Sequence, residues 1–139
     1  GHGQTEIWFR KAFAMAGIAH RDVGSFQPYD DYPMVALIQL EDYGFCGKGA
    51  GGRFVEEHDL TIGGDFPILT DGGQLSGGQP GGAIGGFQPL IEAVAQVRGE
   101  AGERQVKKNA GISVASGFGG MTYARNNRSC VTLVFGAEA

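Results

Sequence analysis

The chain has 139 residues, of which 42% are hydrophobic and 19% are charged, and these values are typical of a single globular domain. The formal net charge is −4 and the basic residues are scattered, so nucleic acid is not an expected partner. No apolar run reaches the roughly 20 residues that a membrane span needs. The first residues also lack the order of a signal peptide. We therefore expect a soluble protein.

Cysteine and histidine usage favours a reducing compartment and no metal site. Cys46 and Cys130 lie far apart, in neither a redox nor a zinc motif, and two cysteines are too few for a disulfide scaffold. We expect a cytoplasmic location and inert thiols. His2, His20 and His58 lack the spacing of metal ligands, and we expect them to face solvent.

The first half of the chain predicts two helices around one strand. Residues 5–16 place Trp8, Phe9 and Phe13 on one stripe, which predicts an amphipathic helix. Residues 22–28 are compatible with a strand that ends near Tyr29. Residues 31–43 are apolar almost all the way round, which predicts a helix buried on most sides. Because a helix pattern starts within about four residues of the first one, we expect a piece of a larger protein.

The second half predicts a loop, one helix and a strand pair. The glycines of residues 44–54 predict a loop without regular structure, and residues 53–71 look irregular, with at most a short strand. Residues 82–98 predict a helix, whose expected apolar face is Leu90, Ile91, Val94 and Val97. Two β-rich runs, 111–120 and 129–136, predict an antiparallel pair. This order of elements predicts a mixed α/β domain.

The glycine-rich stretch at residues 72–88 raises the question of phosphate binding. Glycine-rich helix entries can bind anions, but no lysine followed by Ser or Thr stands at the Walker spacing. The segment 81–86 fits a dinucleotide fingerprint only weakly, because no clear strand precedes it. A different interpretation fits better: the segments 29–32, 72–88 and 115–120 combine small and polar residues, which indicates one crevice at the strand ends.

Three motifs carry a family resemblance that covers essentially all of residues 5–136. They are "FQPYDDYPMVALIQLEDYGFCGKGAGGRFV", "SGGQPGGAIGGFQPLIEAVAQVRGEAGERQV" and "ASGFGGM". Together they resemble the C-terminal half of a thiolase, in particular the sterol-carrier-protein-X or lipid-transfer type. The resemblance implies that residues 1–139 form one half of an α-β-α-β-α layered sandwich. It also implies that the nucleophilic cysteine lies in an N-terminal half.

The resemblance assigns site residues by position. Gln79 stands where the family has a catalytic histidine, and Ser116 stands where it has a proton-transferring cysteine or histidine. Tyr29 begins the segment that matches the family's N-E-A-F or Y-D-A-F motif. The substrate-binding residues expected around them are Gly78, Pro80, Gly81, Gly117 and Gly119.

Both departures from the family pattern bear on the reaction. An amide and an alcohol do not titrate near neutral pH, so Gln79 and Ser116 can only contribute hydrogen bonds. A phenol can exchange a proton with a substrate hydroxyl, which makes Tyr29 the first candidate catalyst and Tyr32 and Tyr123 the next. The alternative is that each tyrosine only packs, that Gln79 only satisfies loop amides and that Ser116 is a turn residue. Asp30 and Asp31 would then favour the N-terminus of the following helix.

The resemblance then implies retro-aldol cleavage of a β-hydroxyacyl-CoA of the steroid side-chain type, with coenzyme A as part of the substrate and no tightly bound cofactor. A conventional acetyl-CoA acyltransferase (thiolase) half and a non-catalytic lipid-binding or scaffold subunit remain alternatives. The implied partners are an N-terminal thiolase half, a second copy in a homodimer, and a zinc-ribbon/OB-fold protein. We expect the isolated chain to be inactive.

Overall fold

The computed structural model describes residues 4–78, 86–122 and 126–137. In this part of the chain, the predicted helices and strands occur in the predicted order, and two short α-helices, Gly51–Glu57 and Gly73–Gly77, are additional. The elements are α1 (Gln4–Ala16), β1 (Ser25–Gln27), α2 (Pro33–Asp42), α3 (Gly51–Glu57), α4 (Gly73–Gly77), α5 (Phe87–Arg98), β2 (Ile112–Thr122) and β3 (Asn126–Gly136).

The strands form one mixed sheet in the order β1-β2-β3. β1 runs parallel to β2, with Ser25 opposite Ser113 and Gln27 opposite Ala115. A parallel pair needs a crossover connection, and the chain from α2 to α5 supplies it. β2 and β3 pair antiparallel along their length. The mixed α/β class and the antiparallel pair at the end of the chain are therefore confirmed.

An aromatic cluster forms the core between the sheet, α1 and α2. The ring of Tyr43 stacks on Phe9 at 5.2 Å between centroids and lies 4.9 Å from Phe26. Other buried members of the same cluster are Phe13, Val23, Leu40, Phe54 and Val114. Each such side chain contributes about 1.5–3 kcal/mol when it leaves water, so this cluster holds β1 against the two helices.

The predicted apolar stripe of α1 is only partly buried. Phe9 and Phe13 face the core, but Trp8 is half exposed. In α2, Ala36, Gln39, Leu40 and Asp42 are buried, but Met34 and Ile38 are exposed, so one face of that helix is open within this chain. Because the sequence of α2 is apolar almost all the way round, its exposed face with Met34 and Ile38 is suited to contact another protein surface.

The prediction of a structureless glycine-rich loop is wrong at its end, where α3 begins. The carboxylate of Glu41 accepts a hydrogen bond from the backbone N–H of Gly51 at 3.0 Å, and Gly51 is the first residue of the helix. A Cβ at Gly51 would come within 3.0 Å of the same carboxylate oxygen. Here glycine permits the helix start, because the capping carboxylate approaches its backbone closely.

The described helix α5 begins at Phe87, and residues 82–85 of the predicted helix lie outside the described residues. Its predicted apolar face is wrong for Ile91, which is 63% exposed, whereas Leu90, Val94 and Val97 are partly buried. The buried residues of the helix include Glu92, Ala93 and Gln96. The helix therefore packs through a partly polar face.

A buried hydrogen-bond network explains why α5 turns this polar face inward. The hydroxyl of Thr70 donates to Glu92 at 2.7 Å, and the amide of Gln96 donates to the same hydroxyl at 3.1 Å. Arg104 forms an ion pair with Glu92 at 3.1 Å. Buried polar groups are tolerated when they are paired in this way.

His20 is exposed, as predicted, although its Nε2 lies 2.7 Å from the backbone oxygen of Tyr43 and its ring packs 5.4 Å from that of Phe13. His58 pairs with the carboxylate of a nearby aspartate. His2 lies outside the described residues. The prediction is therefore confirmed for His20, whereas His58 is partly buried.

The two cysteines have the properties of unreactive thiols. Burial raises the pKa of both Cys46 and Cys130, and a raised pKa lowers the fraction of nucleophilic thiolate at neutral pH. Both thiols are free, so the two cysteines do not form a disulfide with each other. These features agree with the expectation that neither cysteine is a nucleophile.

Gly24 gives a direct test of the parallel strand pair. Its N–H donates to the backbone oxygen of Ile112 at 2.8 Å, and a Cβ at Gly24 would stand 1.6 Å from the backbone oxygen of Asn109. We expect Gly24→Ala to lower the free energy of unfolding by about 1–3 kcal/mol or more, because backbone must move. Urea denaturation measures this loss.

Gly52→Ala is the matched control. Gly52 lies in α3 with nothing within 4 Å of its Cβ position. Alanine there is expected to be neutral or to add about 0.5–1 kcal/mol, because it favours the helix. Equal stabilities for the two variants would contradict the close approach at Gly24.

Candidate active site

Two of the three predicted loops meet at the carboxyl end of the parallel strand pair. Gln27 is opposite Ala115, so the residues that follow in each strand are neighbours. The backbone N–H of Tyr29 donates to the Ser116 hydroxyl at 3.0 Å. In open α/β sheets this end of the strands is where ligands commonly bind.

The Ser116 hydroxyl is occupied by protein partners. Ser116 is buried, accepts from Tyr29 and donates to the side-chain oxygen of Gln39. The amide of Gln39 in turn donates to the backbone oxygens of Tyr29, at 2.6 Å, and Val35, at 3.0 Å. This arrangement favours a positioning role for Ser116. Gln39 was not predicted from the sequence, although a lone amide in the apolar run of α2 was a signal.

The Tyr29 hydroxyl lies in acidic surroundings. Tyr29 is partly buried, and its pKa is raised above the usual 10.0 by burial first, and then by a hydrogen bond to the Asp31 carboxylate and the charges of Asp31 and Asp30. The phenol is therefore protonated at neutral pH and donates its proton to Asp31. Tyr32, by contrast, is 64% exposed at the N-terminus of α2.

Asp30 connects the Tyr29 segment to the glycine-rich stretch. Its carboxylate, 1% exposed, accepts hydrogen bonds from the backbone N–H groups of Gln74 at 2.9 Å and Leu75 at 3.4 Å, in α4. A Cβ at Gly73 would stand 2.2 Å from that carboxylate, and Gly73 has a φ of +62°. The expectation that Asp30 favours the helix after it is thus wrong, because the carboxylate is used by α4.

The remaining predicted site residues divide into described and undescribed ones. Gly78 is the C-cap of α4 and has a φ of +90°, and no atom of the described residues lies within 4 Å of its Cβ position. A Cβ at Gly117 would come within 2.8 Å of Val131, which gives that glycine a packing reason. Gly119 is opposite Ser129 in the antiparallel ladder. Gln79, Pro80, Gly81 and Tyr123 lie outside the described residues.

A cleft at the other end of the strands is separate from this site. It has a volume of about 190 Å³ and is lined by residues that include His20, Gly24, Phe66 and Lys108. Gly24 precedes β1 and Lys108 precedes β2, so the cleft lies at the amino ends of the two strands. The convergence of Tyr29, Asp30 and Ser116 lies at the opposite end, and it is there that the candidate active site is placed.

Metal and membrane motifs are not found in residues 4–78, 86–122 and 126–137. Within these ranges no three His, Cys, Asp or Glu side chains are grouped so that they could hold a metal ion. None of the helices described there has the length and apolar character to cross a bilayer.

Tyr43 is fully buried in the aromatic core, and its titration predicts how stability depends on pH. Its hydroxyl lies 2.7 Å from the Thr132 hydroxyl, and burial raises the pKa of Tyr43 to about 12. Since the unfolded value is about 10, the unfolded chain releases this proton first. Stability present below pH 10 is therefore lost as pH rises towards 12, by up to about 1.4 kcal/mol per pH unit.

We expect Tyr43→Phe to flatten this alkaline loss. The free energy of unfolding, measured in urea between pH 8 and pH 11, should fall less steeply than in the wild type. Tyr32→Phe, at an exposed tyrosine, should leave the slope unchanged. An unchanged slope in Tyr43→Phe would show that Tyr43 is not the titrating group.

Ser116→Ala tests the hydrogen bonds that join the two loops. The change leaves the Tyr29 N–H and the Gln39 side-chain oxygen without their partner. We expect a loss of about 1–3 kcal/mol in the free energy of unfolding, because buried polar groups lose their bonds. Ser76→Ala, at an exposed serine, is the control and should change stability by less than about 0.5 kcal/mol. A Ser116→Ala protein as stable as this control would contradict the network.

Comparison with known proteins supports the resemblance found in the sequence. The family model described as thiolase C-terminal domain-like matches residues 8–133. An acetyl-CoA acetyltransferase of Methanothermobacter thermautotrophicus is 40% identical over 80% of this chain, which covers 28% of that protein. A 17-hydroxy-3-oxo-4-pregnene-20-carboxyl-CoA lyase of Mycobacterium tuberculosis is 37% identical over 76% of this chain, again 28% of its own length.

A solved structure agrees with these sequence relatives. The Ltp2-ChsH2(DUF35) aldolase matches 96% of this chain and 32% of its own, with a TM-score of 0.76 and 26% identity. The chain thus spans about a third or less of each protein that it matches. Its similarity to both an acetyltransferase and a lyase supports a relation to enzymes that act on CoA thioesters. This chain belongs to the thiolase C-terminal domain-like family.

Proposed function

We propose that this chain is the C-terminal half of a thiolase-fold enzyme that cleaves a carbon–carbon bond in a CoA thioester, by retro-aldol reaction of a β-hydroxyacyl-CoA. The observation that carries the proposal is the hydrogen bond from the Tyr29 phenol to the Asp31 carboxylate at the junction of the loops. The lyase and aldolase relatives support the same reaction class. The pregnene part of the lyase's name suggests a bulky acyl group.

The pair of Tyr29 and Asp31 can remove a proton without a free phenolate. As the substrate β-hydroxyl passes its proton to the Tyr29 oxygen, the Tyr29 proton moves to the Asp31 carboxylate. The O–H electrons form the new carbonyl, the Cα–Cβ bond breaks, and its electron pair enters the thioester enolate. Protonation of that enolate gives the shortened acyl-CoA beside a ketone or aldehyde. The remaining half of the fold would supply further contacts to the thioester.

A conventional acyltransferase is the second candidate, because the acetyltransferase relative is 40% identical over the matched segment. That reaction needs an activated thiol and groups that titrate near neutral pH. At the two family positions with such groups, this chain has Gln79 and Ser116, so the other half of the fold would have to supply them. A non-catalytic lipid-binding subunit is the outcome if neither reaction occurs.

The proposed partners follow from the share of the fold that this chain spans. Since it covers 28–32% of the matched proteins, we propose that an N-terminal thiolase half completes the site and that the chain alone is inactive. The exposed Trp8, Met34 and Ile38 support such a contact. A homodimer, a zinc-ribbon/OB-fold partner and a cytoplasmic location belong to the same proposal.

One assay separates the candidate functions. The assembly of this chain with the rest of its thiolase fold is incubated with a β-hydroxyacyl-CoA, and released ketone or aldehyde is measured. Release without added CoA is the expected result. Acyl transfer that depends on free CoA would instead show a thiolase, and binding without turnover would show a non-catalytic subunit.

Tyr29→Phe tests the proposed proton acceptor. It removes one oxygen and should keep the backbone hydrogen bonds of Tyr29 to Ser116 and Gln39. We expect kcat/KM for cleavage to fall by about 10²- to 10⁴-fold, the usual contribution of general acid–base catalysis. Tyr32→Phe is the matched control and should retain activity. A fully active Tyr29→Phe enzyme would rule Tyr29 out as the acceptor.

A further inference from the structure

Gln74 is a buried amide whose side chain makes no hydrogen bond within the part of the chain that the structure describes. The residue is 3% exposed, and neither Nε2 nor Oε1 of its side chain has a hydrogen-bond partner among the described residues. Native proteins rarely bury such a group unpaired, because it loses its bonds to water without replacement. An unpaired group in a native structure therefore needs a reason, and a bound substrate is one.

Two hydrogen bonds, one to Asp30 and one from Gln88, hold the backbone around Gln74 in place. The Asp30 carboxylate accepts its N–H at 2.9 Å, and the carbonyl of the preceding Gly73 accepts from the Gln88 amide at 3.0 Å. Since α4 is thus fixed to the Tyr29 segment and to α5, the amide of Gln74 has a defined position. A fixed polar group is what orients a ligand well.

The Gln74 side chain lies near the Tyr29 hydroxyl, because its backbone N–H is bound to Asp30, the residue next to Tyr29. Its interaction with the phenol lowers the pKa of Tyr29, against the larger effects of burial and Asp31. Neither polar atom of the amide makes a hydrogen bond of good geometry with the described residues. An oxygen atom beside Tyr29 is therefore within reach of an amide donor as well.

We propose that Gln74 binds the β-oxygen of the acyl-CoA substrate, with its Nε2 donating to the oxygen whose proton passes to Tyr29. This inference rests on the proposed function and identifies the part of the substrate that the site recognises. The two contacts use different parts of the substrate hydroxyl, because its hydrogen is donated to Tyr29 while its oxygen accepts from Gln74. A substrate without a β-oxygen leaves the buried amide unpaired, so the site discriminates against it.

The test compares two ligands in the assembly of this chain with the rest of its thiolase fold. A Tyr29→Phe background prevents turnover, so dissociation constants can be measured by calorimetry. The probes are a β-hydroxyacyl-CoA and the matching saturated acyl-CoA without the hydroxyl. We expect the background protein to bind the hydroxylated probe at least about 10-fold more tightly, and we expect added Gln74→Leu to remove this preference while leaving the affinity for the saturated probe unchanged.

A stability comparison separates substrate binding from a structural role. Gln74→Leu removes an unpaired amide, so the melting temperature without ligand should stay the same or rise. Gln39→Leu is the matched control, because Gln39 is equally buried but fully bonded. It should melt at a lower temperature. A Gln74→Leu protein that melts as low as this control, or that keeps the preference for the hydroxylated probe, would overturn the inference.

The proposed function can fail separately. If the wild-type assembly releases no ketone or aldehyde but Gln74→Leu abolishes the preference for the hydroxylated probe, the retro-aldol reaction is wrong and Gln74 still recognises the oxygen. If cleavage occurs and the preference survives the substitution, only the role of Gln74 is wrong. Binding of neither probe would overturn both.

Discussion

The parallel pairing of β1 with β2 is the constraint on which the site depends. It brings residues that are almost ninety positions apart into contact, and the Tyr29 N–H reaches the Ser116 hydroxyl because of it. The aromatic core around Phe26 and Tyr43 fixes β1 against the helices. Gly24, just before β1, lets the backbone of Asn109 occupy space that a Cβ atom would otherwise fill. The chemistry of the crevice is thus set by strand register before any side chain in it is considered.

Asp30 links the Tyr29 segment to the glycine-rich stretch through hydrogen bonds to α4. A buried carboxylate needs hydrogen bonds to offset its lost hydration, and α4 offers two backbone N–H groups. The glycine at 73 admits the approach that any other residue would block. Tyr29 on one side of Asp30 and Gln74 on the other are therefore parts of one rigid arrangement, which accounts for the glycine at the start of α4.

Sequence patterns predicted the fold better than they predicted the packing. The strand pair at the end of the chain and most helices follow from periodicity, and the family motifs identified the thiolase relation. The inward face of α5 could not be predicted, because Glu92 and Gln96 are buried with partners from outside the helix, among them Thr70 and Arg104. Gln39 was missed for the same reason. The contact of the Tyr29 hydroxyl with Asp31 likewise depends on the conformation of the turn after β1, which cannot be predicted from residue spacing.

The anchoring of α4 has an evolutionary consequence. Asp30 holds only main-chain atoms of this segment, so it is indifferent to the side chains that the segment carries. Position 74 can thus accept replacements of comparable bulk without loosening the scaffold around it. Under the role proposed for Gln74, substrate preference and structural integrity are uncoupled at that point, so single substitutions there would change selectivity without loss of the fold.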